Sequence, residues 1–172
     1  MPSTGNSSAY RQVRDALADD VLSRLVERDD SFFEDVVLDV LVALGYGGSK
    51  PDAAERVGRS GDGGIDGVIR EDTLGLDAIS VQAKKWAPER TVGPQEIREF
   101  VGALQDVEAA KGIFITTSSF SPESRELARR RRIVLIDGLE LATHMVDAGV
   151  GVTTLQTYEL KRIDEDYFAE VE

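Results

Sequence analysis

Three residues of complementary chemistry, Asp66, Gln82 and Lys84, lie in or beside two short stretches that alternate apolar and polar side chains. A carboxylate and an amide carbonyl are hard oxygen donors that suit Mg²⁺, and this ion keeps several waters that it shares with a substrate phosphate. A lysine beside such a site can orient or deprotonate an attacking water and balance charge developing on a phosphate. These residue types therefore suit metal-assisted hydrolysis of a phosphate ester.

A β-hairpin would bring the three side chains together. The stretches IDGVIRED and DAISVQAK read as strands joined by TLGL, and Leu74 is the centre of the turn. Asp66 and Gln82 are equally far from that centre, so we expect them to face each other with Cβ atoms roughly 4.5–5.5 Å apart. Lys84 shares the face of Gln82 because alternate side chains of a strand point the same way. A slip of one residue would separate them.

The same spacing is compatible with a purely structural hairpin, since an antiparallel strand commonly has one wet face. The adjoining GDGGIDG, residues 61–67, fits no rival motif. Gly64 and Thr73 stand where an EF-hand loop needs ligands, and Asp66 stands where a G-x-G-x-x-G motif needs its last glycine. We expect its glycines to bring the backbone close to a ligand or to turn it sharply into the strand.

Helices and strands alternate around the hairpin. Apolar spacing predicts a helix over 10–27 and a stronger one from Ser31 to Gly45, with Ser31 as N-cap and Glu34 at the capping-box position. Further predicted elements are a short strand near Val57, helices from Pro94, from Pro122 and in LELATHMVDAG, and strands in GIFITTS, IVLID and TTLQTYEL. This order predicts an α/β fold with a mixed sheet between helices.

The formal charge of −12 over 172 residues argues against a protein that coats nucleic acid by electrostatics alone. It leaves room for an enzyme with one local basic groove, and basic residues cluster at Lys84, Lys85, Arg90 and 129–132. The arginine run also suits a helix C-terminus, where cations oppose the macrodipole. Without cysteines, a signal peptide or a long apolar run, the sequence predicts a cytoplasmic protein that does not enter a membrane.

Five segments, in this order, resemble the Mrr family of restriction endonucleases: FFEDVVLDVLVALGYGG, SGDGGIDGVIREDTLGLDAISVQAKKW, VGPQEIREFVGAL, KGIFITTSSFS and IVLIDGLELA. The resemblance covers roughly residues 31–152. It implies a PD-(D/E)XK nuclease-like fold, in which a mixed central β-sheet flanked by helices presents a metal site at a hairpin. It also implies a Mg²⁺-dependent endonuclease, with Mn²⁺ as a substitute, that cleaves double-stranded and methylated DNA in the restriction of foreign DNA.

Carried over residue by residue, the resemblance implies Asp66 as the metal-binding acid and Gln82 as the second metal ligand. Most relatives in the fold have Glu at that second position, whereas Mrr proteins have Gln. Lys84 would be the catalytic lysine. Glu34 matches an acidic residue that often completes the metal site, a role compatible with a capping box. Asp62 matches the glycine-rich loop without a defined role.

Four residues are candidates for contacts with nucleic acid: Lys85, Trp86, Thr117 and Ser118. Trp86 can stack on a base or sugar, and it can equally be a core or rim aromatic. Thr117 and Ser118 end a predicted strand next to a helix N-terminus, where phosphate can bind. Capping and strand-end hydrogen bonding are the structural alternative for both.

The predicted organisation is a disordered lead over 1–9, a helix or linker over 10–30, a nuclease domain over 31–152, and a strand with an acidic tail over 153–172. Mrr proteins usually carry an N-terminal winged-helix DNA-binding domain, and nothing before Ser31 is long enough for one. The alternative to an enzyme is therefore a non-catalytic nuclease-fold module that acts as a DNA-binding or assembly partner. Cutting two strands with one active site per chain would favour a homodimer.

Overall fold

A computed structural model of the chain describes residues 4–46, 54–56, 64–70, 78–157, 159 and 161–168. The helices are α1 (Thr4–Val26), α2 (Asp30–Ala43), α3 (Pro94–Asp106), α4 (Pro122–Arg131) and α5 (Gly138–Ala148). The strands are β1 (Ala54–Arg56), β2 (Gly67–Arg70), β3 (Ala78–Lys84), β4 (Thr91–Val92), β5 (Lys111–Thr116), β6 (Ser119–Phe120) and β7 (Ile133–Ile136).

Five strands form one mixed sheet in the order β1-β2-β3-β5-β7, and β4 pairs with β6 in a separate two-stranded sheet. The strands β1, β2 and β3 are antiparallel neighbours, whereas β3, β5 and β7 are parallel. In the hairpin, Gly67 lies opposite Val81 and Arg70 opposite Ala78, so the centre of symmetry is residue 74. The predicted α/β fold and hairpin register are both confirmed, while the turn itself lies outside the described residues.

Helices cover both faces of the sheet, as the continuous apolar run in β5 predicts. One core is formed by α1, α2 and α5 with one face of β2, β3 and β5; its largest fully buried side chains are Phe33, Val37, Val40, Leu41, Ile69, Val81, Ile115 and Leu141. The other core lies under α3 and α4. Its centre is Phe114, whose ring meets those of Phe100 and Phe120 edge-on at 5.6 and 5.7 Å between centroids. The sheet is thus a rigid platform for groups at its edge.

The helix α2 begins earlier than the capping-box pattern predicts. Asp29 is the N-cap, and its carboxylate accepts a hydrogen bond of 2.7 Å from the N–H of Phe32. Aspartate caps as well as serine does, so the first acceptable cap after the α1–α2 break starts the helix. Ser31 therefore lies inside the first turn, and the prediction that it is the N-cap is wrong. Glu34 lies in the second turn, beyond the capping-box position.

Both ends of the chain differ from the prediction. The helix α1 begins at Thr4, so residues 4–9 are helical and not a disordered lead. No proline or cap interrupts this segment, and the helix is anchored further along by Ala18, Val21 and Leu25 in the first core. The predicted strand over 153–160 is wrong for its described part, since 153–157 and 159 have no regular structure.

The helix α1 is fastened to α5 by a two-pronged ion pair between Arg14 and Asp147. The hydrogen bond from Arg14 lowers the pKa of the Asp147 carboxyl below its ordinary value. Because both groups are exposed, we expect this pair to orient the helix more than to stabilise it. Among the helices that the structure describes, none is both long and apolar enough to cross a membrane.

Candidate active site

Asp66 lies immediately before the first residue of β2, at the end of the hairpin hydrogen bonding. β2 starts at Gly67, and the N–H of Asp66 donates to the carbonyl of Val81 at 2.9 Å. The next outward-pointing amide of β3, that of Ala83, donates to Asp66 Oδ2 at 2.8 Å. The carboxylate thus replaces the backbone acceptor that a longer β2 would have supplied. This bond holds the Asp66 carboxylate against the edge of β3, at the residue that follows Gln82.

A carboxylate has two oxygens, each with two acceptor positions. The bond to Ala83 therefore does not exhaust what Asp66 can bind. A metal ligand is commonly oriented by a hydrogen bond of this kind. The geometry suits a carboxylate that is positioned by the backbone.

Gln82 is a largely buried amide, with 6% of its surface exposed. It pairs in register with Phe114, so its side chain lies on the face of the second core. Within the described part of the chain, neither its amide oxygen nor its amide nitrogen makes a hydrogen bond. Neither polar atom of Gln82 is among the fully buried side-chain atoms that lack a partner, which in the described part of the chain are limited to Ser118 Oγ. An amide oxygen at this position could serve as a ligand of a hard cation.

Gly64 explains how the amide is held. Its φ of +94° is in the region that favours glycine, and a Cβ built on it would lie 2.8 Å from Nε2 of Gln82. The backbone thus packs directly on the amide. A side chain at this position would have to displace Gln82.

We expect Gly64→Ala to lower catalytic activity while the protein stays folded. The added methyl group would meet the Gln82 amide and strain a left-handed backbone, which costs roughly 1–2 kcal/mol. Cleavage rate and thermal unfolding measured together test this. Gly45→Ala is the matched control, because Gly45 also has a positive φ, of +97°, with nothing within 4 Å of its Cβ position. Equal loss of activity in the two variants would contradict the assignment.

Lys84 ends β3, half-buried and two residues beyond Gln82 on the same face. Its carbonyl accepts a hydrogen bond of 2.7 Å from the Thr116 hydroxyl. Its ammonium makes no hydrogen bond or ion pair with any residue that the structure describes. The backbone of this lysine is therefore fixed and its charged group is available to substrate.

Lys85, predicted as a nucleic-acid contact, is placed differently. Its Nζ donates to the carbonyl of Val26 at 3.3 Å and lies 3.5 Å from Asp30. These partners belong to the junction of α1 and α2, where an ammonium satisfies a helix C-terminal carbonyl. Adjacent lysines thus have different environments, and the placement of Lys85 favours a structural role.

Glu34 is half-buried on α2, which packs against β2 and β3. No three acidic or histidine side chains converge into a metal site among the described residues. Asp62 lies outside the described residues. The oxygen donors that the described structure brings to the hairpin edge are therefore those of Asp66 and Gln82, and the role of Glu34 stays a prediction.

Thr117 and Ser118, also predicted as nucleic-acid contacts, are buried at 1% and 6% exposure. The Thr117 hydroxyl accepts from the N–H of Trp86 at 2.9 Å and donates to the carbonyl of Trp86 at 2.6 Å. Ser118 donates its N–H to the Thr116 hydroxyl at 3.2 Å and accepts from Gly138. Their placement favours strand-end hydrogen bonding, the alternative to a direct contact with phosphate.

Known proteins resemble this chain in sequence. A family profile described as restriction endonuclease, of the Mrr catalytic type, matches residues 25–145. A curated relative, the type IV methyl-directed restriction enzyme EcoKMrr of Escherichia coli strain K12, is 47% identical over 161 residues. That alignment covers 93% of this chain. The chain belongs to the Mrr family of restriction endonucleases. It spans about half of the E. coli relative, 52% of whose length is aligned.

The solved structure of a restriction endonuclease shares the fold. The DNA modification-dependent restriction endonuclease AspBHI superposes with a TM-score of 0.59 at 20% identity, covering 88% of this chain and 38% of that one. The MspJI restriction endonuclease, solved in complex with a 27-mer oligonucleotide, has a TM-score of 0.49 at 24% identity, covering 85% and 32%. The fold is that of a PD-(D/E)XK nuclease, and restriction endonucleases of this kind generally use a divalent metal ion.

Two residues at this edge were not expected as site residues. Gly64 has a signal in the sequence, a glycine-rich stretch just before Asp66, but nothing local identifies Gln82 as the side chain that it contacts. Arg90 lies with its guanidinium carbon 3.5 Å from the ring centroid of Trp86. The separation of four residues around Pro88 is a turn signal, and the packing of the two side chains becomes evident only in the structure.

Proposed function

We propose that this chain hydrolyses phosphodiester bonds of double-stranded DNA with a bound Mg²⁺, for which Mn²⁺ can substitute. The single observation that carries the proposal is that the Asp66 carboxylate accepts the N–H of Ala83, the residue between Gln82 and Lys84 on β3. A carboxylate and an amide oxygen are the donor types that Mg²⁺ takes from proteins, with substrate and waters as its other ligands. Membership of a restriction endonuclease family supports the reaction class.

Each residue has a distinct role in this reaction. Asp66, oriented by Ala83, and Gln82, held by Gly64, bind the ion, and Glu34 is a further candidate ligand on α2. When bound, the metal polarises the scissile phosphate and lowers the pKa of water. Lys84 orients or deprotonates the attacking water and balances charge that develops on the phosphate. The rigid sheet keeps these groups in place before substrate binds.

The name of a relative supports a substrate class. The E. coli relative is named a methyl-directed enzyme. We infer that this chain acts on methylated foreign DNA in the cytoplasm, where a cysteine-free protein is at no disadvantage. Because one site cuts one strand, cleavage of both strands would need a homodimer on the duplex, which sedimentation of the protein–DNA complex would measure.

Incubation with supercoiled plasmid tests the proposal. We expect nicked or linear plasmid with Mg²⁺ or Mn²⁺, none with EDTA, and more product from methylated than from unmethylated plasmid. Plasmids prepared from hosts with and without methyltransferases provide matched substrates. Metal uptake in calorimetry without cleavage of either plasmid would instead support the non-catalytic module. The absence of both metal uptake and cleavage would contradict the metal site itself.

A further inference from the structure

We propose that Arg90, stacked on Trp86, forms a binding point for a DNA phosphate beside the active site. The inference rests on the proposed function, because it names a substrate contact of the same reaction. Arg90 is exposed, and its guanidinium carbon lies 3.5 Å from the centroid of the Trp86 ring. No carboxylate in the described part of the chain pairs with it.

The turn after β3 brings Arg90 into contact with Trp86. The N–H of Arg90 donates to the carbonyl of Ala87 at 2.9 Å, which closes a four-residue turn with Pro88 at its second position. Proline favours this position because its φ is already set for the turn. Immediately afterwards Thr91 enters β4, which pairs with β6. The segment that carries Arg90 is thus held at both ends.

Two buried threonines fix this segment relative to the catalytic lysine. Thr116 donates to the carbonyl of Lys84, and Thr117 exchanges two hydrogen bonds with the backbone of Trp86. Thr116 ends β5 and Thr117 follows it. Their side chains therefore continue the hydrogen bonding between the two segments beyond the end of β3. The stacked pair therefore has a defined position with respect to Lys84.

Stacking uses the flat face of the Arg90 guanidinium and leaves its edge available for hydrogen bonds to a phosphate. Arginine stacks on aromatic faces and presents donors in a planar fork that matches phosphate oxygens bidentately. Trp86 also packs against the second core. With Arg90 over its ring, Trp86 is better suited to orient a cation than to stack on a nucleobase.

Charge distribution makes this cation important in a chain of net charge −12. The run Arg129–Arg132 precedes β7, which starts beside Gly112 at the opposite end of the parallel strands from Lys84. That separation is four residues along β3, about 13 Å. Arg129 and Arg130 are in addition paired with Glu126. Arg90 therefore provides positive charge at the catalytic edge that the arginine run cannot.

The test compares Arg90→Ala with Arg131→Ala, which removes the same charge at the opposite end of the sheet. Both are combined with Lys84→Ala to prevent cleavage, and affinity for a fluorescent methylated 30-mer duplex is measured with Ca²⁺ at several salt concentrations. We expect Arg90→Ala to reduce the slope of log K against log salt by about 0.9, the effect of one phosphate contact. Arg131→Ala should leave the slope unchanged.

Fluorescence gives a second readout, because Trp86 is the only tryptophan. We expect the duplex to change Trp86 emission in the protein with Arg90 intact, and to change it much less in Arg90→Ala. The change in Arg90→Lys, which keeps the charge without the planar fork, should lie between these two. Equal salt slopes for Arg90→Ala and Arg131→Ala would overturn the phosphate contact even if the unmodified chain cleaves plasmid. Absence of both duplex binding and cleavage in the unmodified chain would overturn the proposed function together with it.

Discussion

Replacement of Lys84 by alanine is expected to lower the rate of DNA cleavage by about 10²–10⁴-fold, the usual contribution of a positioned proton-transfer group. The ammonium makes no hydrogen bond or ion pair with any described residue that its loss would break. The backbone bond from Thr116 remains, since it involves the carbonyl of Lys84. We therefore expect almost no change in thermal unfolding. Initial nicking rates at saturating Mg²⁺ measure the effect.

Lys85→Ala is the matched control, with the same change one residue further along the chain. It removes the contacts to Val26 and Asp30, so we expect a small loss of stability with cleavage nearly intact. We thus expect Lys84→Ala to lower the cleavage rate and Lys85→Ala to lower the unfolding temperature. Comparable rates for Lys84→Ala and Lys85→Ala would remove Lys84 from the catalytic site.

Asp66→Asn is expected to weaken metal binding by about 100-fold or more and to abolish cleavage at millimolar Mg²⁺, since even outer partners of metal ligands contribute 10–100-fold. The asparagine oxygen can still accept the N–H of Ala83, so the hairpin edge should remain intact. Mn²⁺ calorimetry measures the affinity directly. Unchanged Mn²⁺ affinity would show that Asp66 is not a ligand.

Asp66→Ala separates the structural role from metal binding. It removes the acceptor as well as the charge, leaving the partly buried amide of Ala83 without its partner, a cost of about 1–3 kcal/mol. We expect Asp66→Ala to unfold at a lower temperature than Asp66→Asn, with cleavage absent in both. Equal unfolding temperatures would contradict the role of the carboxylate as a substitute for β2.

Two features near the site show which parts of the structure could be predicted from the sequence. The hairpin register follows from the alternation of polar and apolar residues on either side of residue 74, because a slip of one residue would turn apolar side chains out of the core. The register of β2 against β3 was therefore predictable. The start of α2 was not, because Asp29 and Ser31 are both good caps and the sequence does not distinguish them.

What the sequence by itself determined is the α/β order, the two-sided burial of β5 and the residue types at the hairpin, since these depend on periodicity and chemistry along the chain. Only the tertiary structure decided that Lys85 contacts the α1–α2 junction, that Gly64 packs on Gln82, and that Arg90 lies over Trp86. It also separated the arginine run from Lys84. The physical reason is that these contacts join segments distant in sequence or side chains across a turn, and packing around the sheet sets them.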